Sequence, residues 1–163
     1  MTESENAPRP EERVFLVVVD DTEEMAVALR YACQRAANSG GRVAMLRVCA
    51  PVEFQHWQTV GDLMRQEQRE SAWNLLERLH DQVVRNSGKE PLKYVREGEV
   101  VEQVLGLVNE EPSISILILG AAAGAEGPGP LVSNLTHRRV GHLRVPVTVV
   151  PGTLTDEQIH AIA

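Results

Sequence analysis

Apolar residues run unbroken from Val14 to Val19, Val-Phe-Leu-Val-Val-Val. A continuous β-branched and aromatic run suits a central parallel strand covered on both faces better than a half-wetted strand, which would alternate. Behind it Thr22 stands ahead of Glu23 and Glu24, and Met25, Leu29, Ala32, Cys33 and Ala36 recur three and four apart. That spacing predicts an amphipathic helix capped by Thr22 and closed at Asn38-Ser39-Gly40-Gly41. Val43 to Val48 reads as a second strand. Ala72, Trp73, Leu76, Leu79 and Val83 mark a long second helix ending at Asn86-Ser87-Gly88. Leu92 to Val95 is a weaker strand, and Val101, Val104, Leu105 and Val108 form a helix face. Glu111-Pro112 stops that helix before Ile114 to Leu119, the second strongly apolar strand. Past a Gly- and Pro-rich loop, Gly120 to Pro130, a short helix is expected around Leu135 to Leu143, then a strand Val147 to Val150 behind Pro146.

Five strands alternating with four helices predict an α/β fold: one domain over residues 13–151, a doubly wound five-stranded parallel sheet with helices on both faces. In such sheets ligands bind beyond the carboxyl ends of the strands, where the strand order reverses. Proline at the entrance of Val147 to Val150 predicts an edge strand. Residues 1–12 hold Pro8, Pro10 and four glutamates and read as a mobile tail. Residues 152–163 form a C-terminal tail in which Thr155-Asp-Glu-Gln158 is a capping-box pattern for a short helix.

The chain has 163 residues and a formal net charge of -7, with its Lys and Arg residues scattered and no basic cluster longer than Arg138-Arg139. Nothing offers a nucleic-acid backbone a positive stripe. Cys33 and Cys49 are too far apart for a CxxC motif, and the opening Met1-Thr-Glu-Ser-Glu has neither a basic nor an apolar stretch, so a cytoplasmic address is expected. The longest apolar run, Ile114 to Ala123, is too short to cross a bilayer, and no membrane association is expected.

Two loops carry the candidate chemistry because each follows one of the two most apolar strands: Asp20-Asp21-Thr22, and the stretch from Gly120. Phe15-Leu-Val-Val-Val-Asp20-Asp21 is similar to the first strand of a phosphorelay receiver. A receiver, however, needs an Asp after its third strand and a Lys after its fifth, where this chain has Val95-Arg-Glu-Gly98 and Val149-Val-Pro-Gly152. A haloacid-dehalogenase type of phosphotransferase needs Asp where Thr22 stands. There is no Walker loop, Gly-x-Ser-x-Gly elbow or Rossmann glycine fingerprint, and no base spaced beside a Ser or Cys nucleophile, so no catalytic residue is named and no enzyme is expected. His137 and His142 are five apart, the wrong spacing for two metal ligands on one helix face, and no metal is expected. His56 and Trp57, between the second strand and second helix, are assigned no role.

The order of elements resembles the universal stress protein family over about residues 13–151: a first strand ending in Val19-Asp20, Leu46-Arg-Val48, a long second helix, Glu97-Gly98, Ile114 to Gly120, and Val145-Pro-Val-Thr-Val-Val-Pro151. The ending is the most specific part, although Val145 replaces the family's usual Cys. The resemblance implies an adenine nucleotide alpha hydrolase-like fold, a homodimer paired through the edge strand Val147 to Val150, and a stress-response role. In the ATP-binding branch the fourth-strand loop reads Gly, two residues, Gly, nine residues, Gly, then Ser or Thr. Counted from Gly120, those later positions hold Ala123, Ser133 and Asn134, so the chain resembles a branch with a degenerate ATP-binding loop. Pro128 and Pro130 remove two backbone donors. Asp20, Asp21, Thr22, Val48, Gly120, Gly124, Ser133 and Asn134 are the residues expected at a ligand site, Ser133 or Asn134 capping the next helix. A small anionic ligand, ATP or another adenine nucleotide, is the occupant the resemblance allows; ATP itself is expected to bind weakly or not at all. A small enzyme acting at the same crevice is the remaining alternative from another class.

Overall fold

The structure, a computed structural model, describes residues 12–52 and 58–163. Residues 1–11 of the expected tail, and His56 and Trp57, lie outside the described residues. Five strands, β1 (Val14–Val18), β2 (Arg42–Cys49), β3 (Leu92–Glu97), β4 (Ile114–Ala121) and β5 (Val147–Pro151), form one sheet in the order β3-β2-β1-β4-β5. Every pairing is parallel; Leu16 faces Ala44 on one side and Leu117 on the other, and Gly120 faces Val150. The strand order therefore reverses between β1 and β4, and β5 is an edge, as Pro146 suggested.

All five residues of β1 are buried, because helices cover it on both faces. On one face α1 (Glu23–Ser39) and α2 (Gln58–Ser87) bury Leu29, Cys33, Leu76 and Val83 against Phe15, Val17, Val43, Met45 and Ile118. On the other, α3 (Val100–Glu110) and the segment after β4 bury Val104, Leu107, Val108 and Leu135 against Leu16, Leu46, Leu117 and Leu119. Successive strand residues alternate between the two layers, so an uninterrupted apolar run is what a doubly covered strand requires. No helix among the described residues is long and apolar enough to cross a membrane.

Two helices differ from expectation. α2 runs for 30 residues, beginning well before the apolar stripe that marks it in sequence. Its first half, with Asp62, Arg65, Gln66, Glu67, Gln68, Arg69 and Glu70, has no core-facing periodicity to read. The helix after β4 starts at Pro130, not near Leu135. α4 (Pro130–Ser133) runs on into a π turn over Asn134–Arg138 and a 3-10 turn over Val140–His142. Proline's fixed φ suits the first helical position, where no N–H is needed. Gly129, at φ 104, takes the cap position in a backbone conformation open essentially to glycine alone. Ser133 and Asn134 therefore lie past the start of the helical segment, and neither side chain caps it.

The C-terminal tail forms α5 (Asp156–Ile162), opened by a complete Thr155/Gln158 capping box. It docks on α1: Ile159 is buried, Asp156 pairs with Arg30 at 2.8 Å, and Asn38 donates to the carbonyl of Ala163 at 2.9 Å. At the opposite end of α1, the first turn lies hard against β4 and the segment after β5. A Cβ on Gly120 would overlap the Glu24 carbonyl oxygen, and one on Gly152 would stand 2.9 Å from the Glu24 Cβ. Below the sheet's amino end, the Glu12 carboxylate, 5% exposed, bridges Lys89 at 2.8 Å and Arg42 at 3.3 Å.

Two stability measurements follow from these contacts. Gly120→Ala should cost at least about 2 kcal/mol in urea unfolding because α1 must move off β4. Gly124→Ala, where an added Cβ meets nothing within 4 Å, should stay within about 0.5 kcal/mol; equal effects at the two positions would refute the packing role of Gly120. Glu12→Ala should cost about 1.5 kcal/mol by removing the buried carboxylate that Arg42 and Lys89 share, and a loss under about 0.5 kcal/mol would mark the bridge as no better than an exposed pair.

Candidate functional site

The reversal of strand order opens a crevice at the carboxyl ends of β1, β2 and β4, with a volume of about 680 Å3. Crossovers leaving β1 and β4 depart to opposite faces of the sheet, so nothing fills the gap between their ends. The floor is Val18, Val19, Val48, Cys49 and Gly120 from the three strands. One wall is Gln68, Ser71 and Ala72 of α2, another is Glu99, Val100 and Val101 at the start of α3, and Pro128 to Val132 close the far side. A cavity of this size with apolar walls and a few polar groups is the usual form of a small-molecule site.

Each polar group at the rim is held by local chemistry. The Asp20 carboxylate accepts the Thr22 N–H at 2.9 Å and the Thr22 hydroxyl, while Thr22 Oγ1 accepts the Met25 N–H at 3.3 Å and caps α1. Glu99 caps α3, accepting the N–H groups of Val101 at 3.1 Å and Glu102 at 2.9 Å. Arg47, the one basic side chain among the described lining residues, donates to Asp21 Oδ2 at 3.3 Å and to the Val19 carbonyl at 3.4 Å. The loop after β4 folds on itself: Ala122 N–H donates to the Pro128 carbonyl and Gly127 N–H to that of Gly124, each at 3.2 Å.

Of the residues named from sequence, Asp20, Thr22, Val48, Gly120 and Asn134 line the crevice. Asp21 points to Arg47 and is not among the lining residues. Gly124 also lies off the crevice, and Ser133 faces a separate shallow groove with Pro128, Pro130, Thr136, His137 and Arg138. Gly120 is small because α1 packs on it, since the space a side chain would need is filled by the Glu24 backbone. Neither thiol is prepared as a nucleophile. Burial pushes Cys33 up to about 12, and burial raises Cys49 against the opposing pull of Arg47 and Arg69. Among the described residues no group of three or more His, Cys, Asp or Glu side chains is placed to hold a metal ion.

Sequence reasoning did not name Glu24, Arg47, Gln68, Ser71 or Glu99 as site residues. Glu99 had a local signal, an acid directly ahead of an apolar helix. Gln68 and Ser71 had none, because they sit in the polar half of α2. The Cys49 thiol donates to the Gln68 carbonyl at 3.7 Å, which seats that turn of α2 over the end of β2.

The fold is shared with solved structures at low sequence identity. A universal stress protein UspA from Lactobacillus plantarum superposes with a TM-score of 0.71 at 17% identity, over 87% of this chain and 99% of that one. A universal stress protein family protein from Arabidopsis thaliana with AMP bound matches with a TM-score of 0.60 at 16% identity, over 90% of this chain and 94% of that one. A universal stress protein in complex with cAMP matches with a TM-score of 0.60 at 14% identity, over 87% and 98%. No curated protein sequence matches the chain. The family model of the universal stress proteins matches residues 12–151, nearly the whole described chain. On that match the chain belongs to the universal stress protein family.

Proposed function

We propose that this chain is a non-catalytic, homodimeric stress-response binding protein of the cytoplasm that holds a small ligand between the ends of β1 and β4 and binds ATP weakly or not at all. One observation carries the reading: the crevice has room for a nucleotide but is poorly equipped for a polyphosphate. Around its 680 Å3, the described lining residues include three carboxylates, Asp20, Glu24 and Glu99, against Arg47 alone, and that guanidinium already serves Asp21.

The residues do not fit a triphosphate. Pro128 and Pro130 supply no N–H donors, the loop's Ala122 and Gly127 amides are spent on its own carbonyls, and the room beside Gly120 belongs to Glu24. Asp20, Thr22, Val48, Gly120 and Asn134 remain the proposed contacts, while Asp21, Gly124 and Ser133 keep at most an indirect part, through Arg47 and through the loop that bears the far wall. The Asp20 carboxylate beside the Thr22 hydroxyl is committed to the cap of α1, and Cys49 is raised by burial, which supports binding without turnover.

A second reading keeps an adenine nucleotide in the same crevice. The volume favours it, as do the AMP and cAMP named with two structural neighbours.

For the assembly, β5 supports pairing with a second copy. It is an edge with Val149 exposed, and such an edge is either protected or used. The proposed family unit is 13–151, with α5 as an addition that stiffens α1.

Calorimetric titration with ATP and magnesium should give a dissociation constant weaker than about 100 μM or no heat; low-micromolar binding would overturn the first reading in favour of the second. Sedimentation equilibrium at micromolar concentration should return twice the chain mass, and a monomer would end the edge-strand dimer.

A further inference from the structure

The charged residues among the described lining are mostly acidic, three carboxylates against Arg47, and this says what kind of molecule completes the crevice. Asp20, Glu24 and Glu99 are the acids along it; Asp20 Oδ1 and both Glu99 oxygens hold helix caps, as the Thr22 hydroxyl holds Asp20 and Arg47 holds Asp21 and the Val19 carbonyl. Gln68 adds an acceptor of another kind. It lines the crevice, yet its Oε1 is buried and has no hydrogen-bond partner among the described residues. A buried carbonyl oxygen without a donor is a standing cost to the fold, tolerated most often where function uses it. The floor beneath is lined by the largely apolar side chains of Val18, Val48 and Cys49.

Resting on the reading that the crevice is the ligand site, we infer that it takes an uncharged, nucleoside-sized molecule, a flat ring bearing an N–H donor, and that Gln68 Oε1 is the acceptor selecting that donor. The negative rim repels a phosphorylated form of the same molecule. The apolar floor takes the ring. A small turn of the Gln68 amide exposes its oxygen to the ring's N–H and relieves the unpaired group.

Adenosine, purine riboside (the same molecule without its exocyclic amine), AMP and ATP with magnesium are the probes, titrated calorimetrically at low and high salt into the full chain and into Gln68→Met. Adenosine should bind at least about tenfold more tightly than ATP, and the gap should narrow at high salt as the acidic rim is screened. Gln68→Met should weaken adenosine about tenfold and leave purine riboside within about twofold. The ligand-free variant should melt no lower than the wild type, since it loses an unpaired oxygen. AMP or ATP binding more tightly than adenosine would overturn the inference and leave the crevice standing as the site. Equal losses for adenosine and purine riboside would remove Gln68 from the role. No heat from any of the four probes would overturn both the inference and the crevice reading.

Discussion

The first turn of α1 lies against β4 with no side chain between them, and most of the molecule's arrangement follows from that close approach. Glu24 occupies the space that a Cβ on Gly120 would need, and it meets Gly152 on the next segment in the same way. With its amino end fixed there, α1 spans β1, β4 and β5 on one face of the sheet while α3 covers the other. The two crossovers part, and a cavity remains between the ends of β1 and β4. The floor of the site is thus set by backbone packing, and its specificity is left to the side chains that surround it.

Those side chains do two jobs at once. Thr22 and Glu99 cap the helices that form the walls, and Asp20 anchors Thr22. Polar groups committed to holding the backbone are fixed in direction, which preorganises a site. They also leave it acidic, because caps at helix amino ends favour carboxylates. A molecule entering the crevice meets apolar strand ends below and acceptors around, and the cation present, Arg47, already serves Asp21. α5, beyond the residues the family model matches, braces α1 through Ile159 and the Arg30–Asp156 pair and so supports the wall to which Thr22 and Glu24 belong.

The architecture was legible in the sequence wherever burial imposes a period. The unbroken run Val14 to Val19 marked the central strand because such a run is stable only with helices on both faces, and Pro146 marked the edge. What did not show was what lacks an apolar signature. The polar first half of α2 gives no stripe, so Gln68 and Ser71 stayed hidden although they form a wall. The start of α4 was misplaced because Pro130 reads as a loop residue, whereas behind a glycine at positive φ it begins a helix. For the same reason Ser133 was expected at a cap and lies past one. Gly120 was legible as a small residue, but its cause is the Glu24 backbone, a contact between segments far apart in sequence.

Whether the crevice at the strand reversal is where this protein meets its ligand is best tested by chemical-shift mapping of the isotope-labelled chain titrated with adenosine. The expected result is a contiguous set of perturbed amides at Val18 to Thr22, Val48 to Ala50, Gln68 to Ala72, Gly129, Leu131 and Val132. Perturbations confined to β5, or to the groove around Thr136 and His137, would contradict it.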